Sequence, residues 1–271
     1  MNILLTNDDG IDSAGIQKFA EALRAKGKYR VLVLAPDFNR SGISNAVSLL
    51  NGPVKVLQLG EDTWSCSGYP ADCVIAARLG ALPVKPDLVL SGINRGENLG
   101  SDLIYSGTAA AARQASLGGI PAIALSLVGR DNFYWDMAAS WAADHLEELT
   151  AFCAPKSFVN VNIPNSSGGP EGMRAAWPAI KRYRDALMVV DAPDGSRWCF
   201  LEGEPEMAMG QKDSDCDVVS RNFVSVSAVY NYPVGNLEPD GPRWGFPVGN
   251  LEPDDSRREP EALKSFSGGS R

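Results

Sequence analysis

The chain has 271 residues, 44% of them hydrophobic and 21% charged, which is typical of a soluble globular protein with one large α/β domain or two small ones. Its formal net charge is −8 and it has no run of Lys or Arg, which argues against a broad surface for nucleic acid or anionic membranes. No stretch approaches the roughly 18 apolar residues of a membrane span, and the first residues have neither the basic start nor the apolar stretch of a secretory signal. We therefore expect a cytoplasmic protein without a membrane or nucleic-acid partner.

Histidine and cysteine usage narrows the chemistry further. His145 is the only histidine, which excludes a metal centre built on several histidines, and it lies in a predicted helix over 136–152 as a half-buried or exposed surface residue. The five cysteines contain no C-x-x-C pair and predict free thiols rather than disulfides or a zinc site. Carboxylates, hydroxyls and amides must therefore carry any activity.

The first ten residues predict a buried strand that ends in two acids. Ile3 to Leu5 form an apolar run, a turn follows at 7–10, and a helix is expected from about Ser13. Asp8 and Asp9 would then lie at the carboxyl edge of a parallel sheet, where such sheets bind ligands. Adjacent carboxylates repel unless a cation separates them, so a hard divalent cation is one interpretation and a simple helix cap is the other.

The second strand predicted from the sequence, Tyr29 to Ala35, completes a right-handed βαβ unit and leads to the polar loop 36–45 at the same sheet edge. The first turn carries no G-x-G-x-x-G pattern, so we do not expect a dinucleotide cofactor of the usual kind. Short strands over 54–59 and 63–67 and a helix from Pro70 to Leu79 follow.

A second polar stretch begins after the apolar strand 88–90. Residues 91–108 contain four glycines and seven Ser, Asn, Asp or Thr side chains, which favours a loop that a ligand approaches closely. A helix is expected from Thr108 through an alanine-rich run. Its hydroxyl-rich N-terminus, Ser106 to Thr108, either holds a phosphate or is an ordinary Ser/Thr cap.

The remaining chain extends the alternation and then changes character. A strand over 120–127, the helix over 136–152 and a strand over 158–163 predict a Rossmann-like, doubly wound, mostly parallel α/β sheet. From Gly168 the pattern indicates antiparallel hairpins. We therefore expect one domain over 1–232, with a core of 1–165 and a hairpin appendage of 166–232. The segment 233–271 repeats one octapeptide at a period of 14 residues and predicts an extended or disordered tail.

Several of these motifs, in this order, resemble those of the SurE family of nucleotidases. The matching stretches are Asn7-Asp8-Asp9-Gly10, Ala35-Pro36-Asp37, Asn39-Arg40-Ser41-Gly42, Ser91-Gly92-Ile93-Asn94-Arg95-Gly96, Asn98-Leu99-Gly100, Tyr105-Ser106-Gly107-Thr108, Pro70-Ala71-Asp72-Cys73-Val74 and Asn160-Val161-Asn162-Ile163-Pro164. The resemblance covers about 1–165 well and extends more thinly to Val229.

The resemblance implies a metal-dependent phosphomonoesterase that hydrolyses nucleoside 5′-monophosphates, with catalysis by Asp8 and Asp9. It implies one divalent ion per subunit, Mg²⁺ or Mn²⁺, with the ligands Asp8, Asp9, Ser41 and Asn94. It implies a phosphate and substrate pocket of Asn7, Asn98, Ser106, Gly107 and Thr108. It also implies a homodimer or homotetramer built by exchanged C-terminal arms.

The sequence departs from the family pattern at a few positions and leaves alternatives open. Tyr69, Ala109 and Gln114 stand where the family usually has Thr, Val and Glu, and the run 222–229 differs from the family's late motif. None of these changes removes an expected ligand. Hydrolysis of 3′ esters, exopolyphosphatase activity at the same site, an aspartyl-phosphate mechanism and a catalytically weak nucleotide-binding protein remain the alternatives.

Overall fold

The computed structural model describes residues 1–48, 51–206 and 212–232. Its strands are β1 (Asn2–Thr6), β2 (Arg30–Pro36), β3 (Val56–Gly60), β4 (Thr63–Cys66), β5 (Leu88–Arg95), β6 (Ala122–Val128), β7 (Ser157–Pro164), β8 (Met173–Ala175), β9 (Arg182–Asp191), β10 (Arg197–Glu206) and β11 (Val224–Tyr230). Its α-helices are α1 (Ala14–Ala25), α2 (Pro70–Leu79), α3 (Gly107–Leu117), α4 (Trp135–Asp144), α5 (Leu146–Thr150) and α6 (Asp215–Ser220), and a 3-10 helix spans Gly100–Ile104.

Nine of the strands form one sheet in the order β3-β4-β2-β1-β5-β6-β7-β11-β8. The six strands from β4 to β7 run parallel, whereas β3 and β11 each pair antiparallel with a neighbour. The chain builds outward from β1 through β2 to β4 and then returns to place β5 on the other side of β1. The strand order therefore reverses between β1 and β5, which is where ligands bind in open α/β sheets.

Two apolar layers cover the faces of this sheet. On one face α1, α4 and α5 pack through Ile16, Phe19, Leu146 and neighbouring residues. On the other face α2 and α3 pack through Val74 and the alanines of α3. The strands are buried from both sides, which explains why their sequences read as continuous apolar runs rather than alternating patterns.

The predicted fold class is confirmed, with two differences of detail. The helix expected over 136–152 is interrupted at His145, whose φ of −98° and ψ of 9° end α4 before α5 begins. The half-buried imidazole stacks on Trp141, and its Nδ1 lies 2.8 Å from the Trp141 carbonyl oxygen. The bend lets Leu146 and Leu149 remain in the core.

The hairpin appendage is smaller than the expected 166–232. Among the described strands, only β9 and β10 form a separate two-stranded antiparallel sheet, which we call the arm. β8 and β11 belong to the main sheet, because β11 pairs with both β7 and β8 and its first four residues are buried. The tail and its duplicated octapeptide, in 233–271, lie outside the described residues.

The five cysteines are free thiols, as expected. No helix within the described ranges is long and apolar enough to cross a membrane.

Candidate active site

A cleft of ≈ 340 Å³ opens at the carboxyl edge of the parallel strands, beside the reversal point between β1 and β5. Five of the residues predicted for the site line it: Asp8, Ser41, Asn94, Asn98 and Ser106. These residues come from the ends of β1, β2 and β5 and from the start of α3. The structure thus brings together side chains that are nearly 100 residues apart in the chain.

Asp8 lies at the base of the cleft and is almost fully buried. The Thr108 hydroxyl donates a hydrogen bond to its Oδ1, and the Thr108 backbone N–H is a second donor. A Cβ on Gly107 would lie 2.8 Å from both the Cβ and Oδ2 of Asp8, so only glycine allows this approach. The positive end of α3 therefore holds the Asp8 carboxylate, an anion supplied by the protein itself.

Thr108 and Gly107, both expected in the phosphate pocket, do not line the cleft. Thr108 is fully buried, and its hydroxyl positions the Asp8 carboxylate. Ser106 is the N-cap of α3 and accepts a hydrogen bond from the Ala109 N–H at 3.0 Å, while it also lines the cleft. Its own hydroxyl proton remains available to donate to an anion.

Burial, opposed by the Thr108 hydrogen bond and assisted by repulsion from Asp9, raises the pKa of Asp8 to about 6. Burial also raises the pKa of Asp9, against the opposing effect of the Arg95 N–H and its charge. Both shifts mean that the ionised pair is costly in this setting. A cation beside the two carboxylates would remove that cost.

Asp9 and Asn94 are linked through the end of β5. The Arg95 N–H donates to Asp9 Oδ2 at 2.9 Å. Asn94 Nδ2 donates to the Gly96 carbonyl at 3.0 Å. Because this bond uses the Asn94 nitrogen, the Asn94 amide oxygen is the atom available as a ligand. The pairing of β5 with β6 shifts register between Ser91 and Asn94. This irregularity redirects the strand as it enters the cleft.

Ser41 reaches the cleft on the loop after β2. The loop is held against the first turn, because the Arg40 N–H donates to the Asp8 carbonyl at 2.6 Å. On its other side, the Ser44 N–H donates to the Tyr105 carbonyl at 3.0 Å. Ser41 itself is exposed, and its N–H donates to Asn39 Oδ1 at 2.7 Å. The loop therefore forms one wall of the cleft.

Asn98 is fixed by three side chains to which the sequence analysis gave no role. The Asn98 N–H donates to Asn162 Oδ1 at 2.8 Å, and its Nδ2 donates to Ser126 Oγ at 2.8 Å. Asn160 and Asn162 donate in turn to the Asn98 carbonyl. The signal for this network was present as two asparagines in alternate positions of an otherwise apolar strand, because buried amides require partners.

Asn7, expected in the substrate pocket, does not line the cleft. Its side chain is fully buried, and Nδ2 donates to the Gly10 carbonyl at 2.9 Å and to Ser13 Oγ at 2.7 Å. The Gly10 N–H completes the turn by donating to Asn7 Oδ1 at 3.2 Å. The short amide side chain thus shapes the turn that presents the two acids.

The outer rim of the cleft contains Asp102 and Tyr183, which the sequence did not indicate as site residues. The Tyr183 hydroxyl donates to the Asp102 carboxylate, with both oxygens at 2.7 Å, and the Lys181 ammonium also pairs with Asp102. Desolvation alone would lower the pKa of Lys181, but Asp102 outweighs it and the pKa rises. Tyr183 belongs to β9, so the base of the arm borders the cleft.

A wider depression of ≈ 680 Å³ lies at the opposite edge of the sheet, around the start of β2. Its walls are dominated by charged surface residues such as Arg30 and Asp62, which pair with each other at 2.8 Å. Ligand sites of open α/β sheets lie at the other edge, and the buried acids and amides are there too. The smaller cleft is therefore the candidate active site.

The cleft residues fit a hard divalent cation. Among the described residues no three His, Cys, Asp or Glu side chains cluster as a metal site, so a cation here would need neutral oxygens beside Asp8, which lines the cleft, and its neighbour Asp9, which does not. Ser41 and Asn94 offer a hydroxyl and an amide oxygen at the same cleft. An all-oxygen set with two carboxylates suits Mg²⁺ or Mn²⁺ rather than a metal that prefers sulfur or imidazole.

Comparison with known proteins gives one consistent family. The family model described as "Survival protein SurE" matches residues 3–185. A "5'-nucleotidase SurE" from Acinetobacter baumannii (strain SDF) is 39% identical over 247 residues, covering 84% of this chain and 93% of that protein. A protein of the same name from Synechococcus elongatus is 36% identical over 240 residues, covering 84% and 92%.

A solved structure supports the same grouping. The crystal structure of the SurE protein from Aquifex aeolicus superposes with a TM-score of 0.77 at 33% sequence identity, and the match covers 87% of this chain and 95% of that one. With a family match over most of the nine-stranded domain and relatives of this identity and coverage, the chain belongs to the SurE family.

Proposed function

We propose that this protein is a metal-dependent phosphomonoesterase that hydrolyses nucleoside 5′-monophosphates to a nucleoside and phosphate. The observation that carries the proposal is the cleft itself, where the buried carboxylate of Asp8 meets Ser41, Asn94, Asn98 and Ser106. The relatives named 5'-nucleotidase SurE support the same reaction. The five free thiols suit a reducing cytoplasm.

Asp8, Asp9, Ser41 and Asn94 are the residues that would hold one Mg²⁺ or Mn²⁺. When bound, the cation supplies Lewis-acid polarisation of a phosphoryl oxygen and offsets the negative charge of the substrate. Without that charge, the acidic base of the cleft would repel a phosphate dianion.

The remaining steps fall to the side chains. Ser106 donates its hydroxyl proton to one phosphoryl oxygen, and Asn98, whose amide is held by Ser126, donates to another. Asp8, whose direction is fixed by the Thr108 hydroxyl, orients the attacking water and accepts its proton as the water oxygen bonds to phosphorus and the P–O5′ bond breaks. The departing nucleoside oxygen takes up a proton from solvent.

The direct test is phosphate release from adenosine 5′-monophosphate with added Mg²⁺ or Mn²⁺. We expect Asp8→Ala to lower kcat by about a hundredfold or more, the usual range for loss of a general base or metal ligand. Asp12→Ala is the matched control, because Asp12 is an exposed acid in the same loop. Full activity of Asp8→Ala, or of wild type in excess chelator, would refute the proposal.

We also propose that the arm joins copies of the chain into a homo-oligomer. Apolar residues are exposed on both of its faces: Leu187, Met188, Val189, Val190, Trp198, Phe200 and Leu201. An isolated two-stranded hairpin is marginal in water, and a patch of this kind usually marks an interface. A dimer or tetramer would cover these residues.

A further inference from the structure

The cleft changes character from its base to its rim. Asn98 and Ser106, near the base, are almost completely buried and polar. At the rim, Tyr183 and Tyr105 are 40% and 64% exposed. A ligand that matches this gradient has an anionic end and an aromatic end.

The side chain of Tyr183 is held by its hydroxyl and by a cation near its ring. Its hydroxyl is bound by Asp102, and the Lys181 Nζ lies 5.8 Å from the centre of its ring. Lys181 is fixed through its backbone, which exchanges hydrogen bonds with Ser101 Oγ at 3.0 and 3.1 Å. The exposed ring is therefore presented to the cleft without the entropy cost of ordering a free side chain.

The base of the arm is also anchored to the loop that carries Asn98. Asp215, fully buried, accepts hydrogen bonds from the Gly100 N–H at 2.6 Å and the Ala179 N–H at 2.9 Å. A Cβ on Gly100 would lie 2.2 Å from the Ala179 carbonyl oxygen, so the two segments touch. The clamp fixes the position of Tyr183 relative to the polar base of the cleft.

We propose that Tyr183 is a specificity-determining residue that stacks on the base of the nucleotide. The inference rests on the proposed phosphomonoesterase function and adds the part of the substrate that the rim recognises. Aromatic side chains stack on every nucleobase, because each base has a π face. The Tyr183 ring thus favours nucleotides over phosphate esters without a base, and over inorganic polyphosphate.

The test compares adenosine 5′-monophosphate with ribose 5-phosphate, which carries the same sugar and phosphate but no base. In Tyr183→Leu we expect KM for the nucleotide to rise about tenfold, as for loss of one base–aromatic stack, with kcat little changed. KM for ribose 5-phosphate should stay at the wild-type value. The inhibition constant of adenosine, a nucleoside without phosphate, should rise by the same factor.

Two variants control for folding and placement. Tyr183→Phe keeps the ring and should retain the preference for the nucleotide. Tyr230→Leu removes a tyrosine of similar exposure at the far end of β11, next to the amino end of β7, and should change neither KM.

The outcomes separate the two proposals. If the wild type hydrolyses neither ester with Mg²⁺ or Mn²⁺, the phosphomonoesterase function itself is refuted. If it hydrolyses both and Tyr183→Leu alters the two KM values equally or not at all, stacking by Tyr183 is refuted while the function stands.

Discussion

At the scale of single residues, the candidate site depends on how one buried carboxylate is held. Asp8 has a pKa of about 6 because burial penalises its charge, and Thr108 is the side chain that opposes this penalty. A hydrogen bond to a charged group contributes about 1.5–3 kcal/mol, more than a neutral one. Thr108 therefore controls both the charge and the direction of Asp8, although it does not line the cleft.

Replacing Thr108 by Val keeps the shape of the side chain and removes its hydroxyl. We expect the free energy of unfolding to fall by about 1.5–3 kcal/mol, since Asp8 loses a donor, and kcat for the nucleotide to fall with it. Thr108→Ser is the control, because it keeps the hydroxyl and should retain most of the activity. Urea denaturation and steady-state kinetics measure the two effects, and equal activity in the Val and Ser variants would contradict the role of the hydroxyl.

At the scale of elements, the approach of α1 to the sheet depends on a glycine. A Cβ on Gly15 would lie 2.0 Å from the Ile93 carbonyl oxygen and 3.0 Å from the ring of Trp135. Ile93 precedes Asn94 in β5, so the helix packs directly against the strand that delivers an expected ligand. No side chain larger than hydrogen fits unless the helix moves away.

We expect Gly15→Ala to destabilise the protein by about 1–3 kcal/mol, because overpacking outweighs the better helix propensity of alanine. Gly60→Ala is the matched control, since a Cβ there meets nothing within 4 Å, and it should change stability by less than about 0.5 kcal/mol. Chemical denaturation of both variants tests the difference. A Gly15→Ala variant as stable as wild type would show that α1 can shift freely.

At the scale of the whole molecule, the arm carries exposed apolar residues that the nine-stranded sheet and its helices do not cover. Leu201 is 85% exposed, and both faces of β9 and β10 are open. We predict that Leu201→Asp lowers the mass of the assembly in sedimentation velocity, because a charge at an apolar interface is costly to bury. Leu79→Asp, at an exposed apolar position in α2, should leave the mass unchanged. A monomeric wild type, or an unaltered mass in Leu201→Asp, would contradict an interface at the arm.

How far the structure could be predicted from the sequence differs between the sheet and the single residues of the cleft. The parallel sheet was predictable because its strands are apolar runs that end in turn signals, and strand direction placed Asp8 and the loop with Ser41 at one edge of it. Ser41 and Asn94 could be named individually only through the resemblance to the family, and both line the cleft with Asp8. The inward role of Thr108 was not predictable, because a helix N-terminus suits a protein carboxylate and a phosphate equally well. The sequence around Tyr183 did not predict a site residue, since the position of Tyr183 at the rim depends on how the arm is connected to the main sheet.

The break at His145 and the position of β11 escaped prediction for related reasons. A regular apolar spacing continues across residue 145, so the pattern itself shows no interruption. β11 carries buried serines between its valines, which made it resemble a half-exposed hairpin strand rather than a strand covered on both faces. In both cases packing against the rest of the molecule decided the outcome.

The reversal of strand order beside β1 has a consequence for how the protein comes into being. Asp8 is synthesised early, whereas its cleft neighbours Asn94, Asn98 and Ser106 are synthesised only with β5 and the segment that leads into α3. A chain truncated before Leu88 contains Asp8 and Ser41 but lacks Asn94, Asn98 and Ser106. It therefore cannot form the cleft. We therefore expect phosphate release only from a chain that contains both halves of the sheet, and none from a fragment that lacks either half.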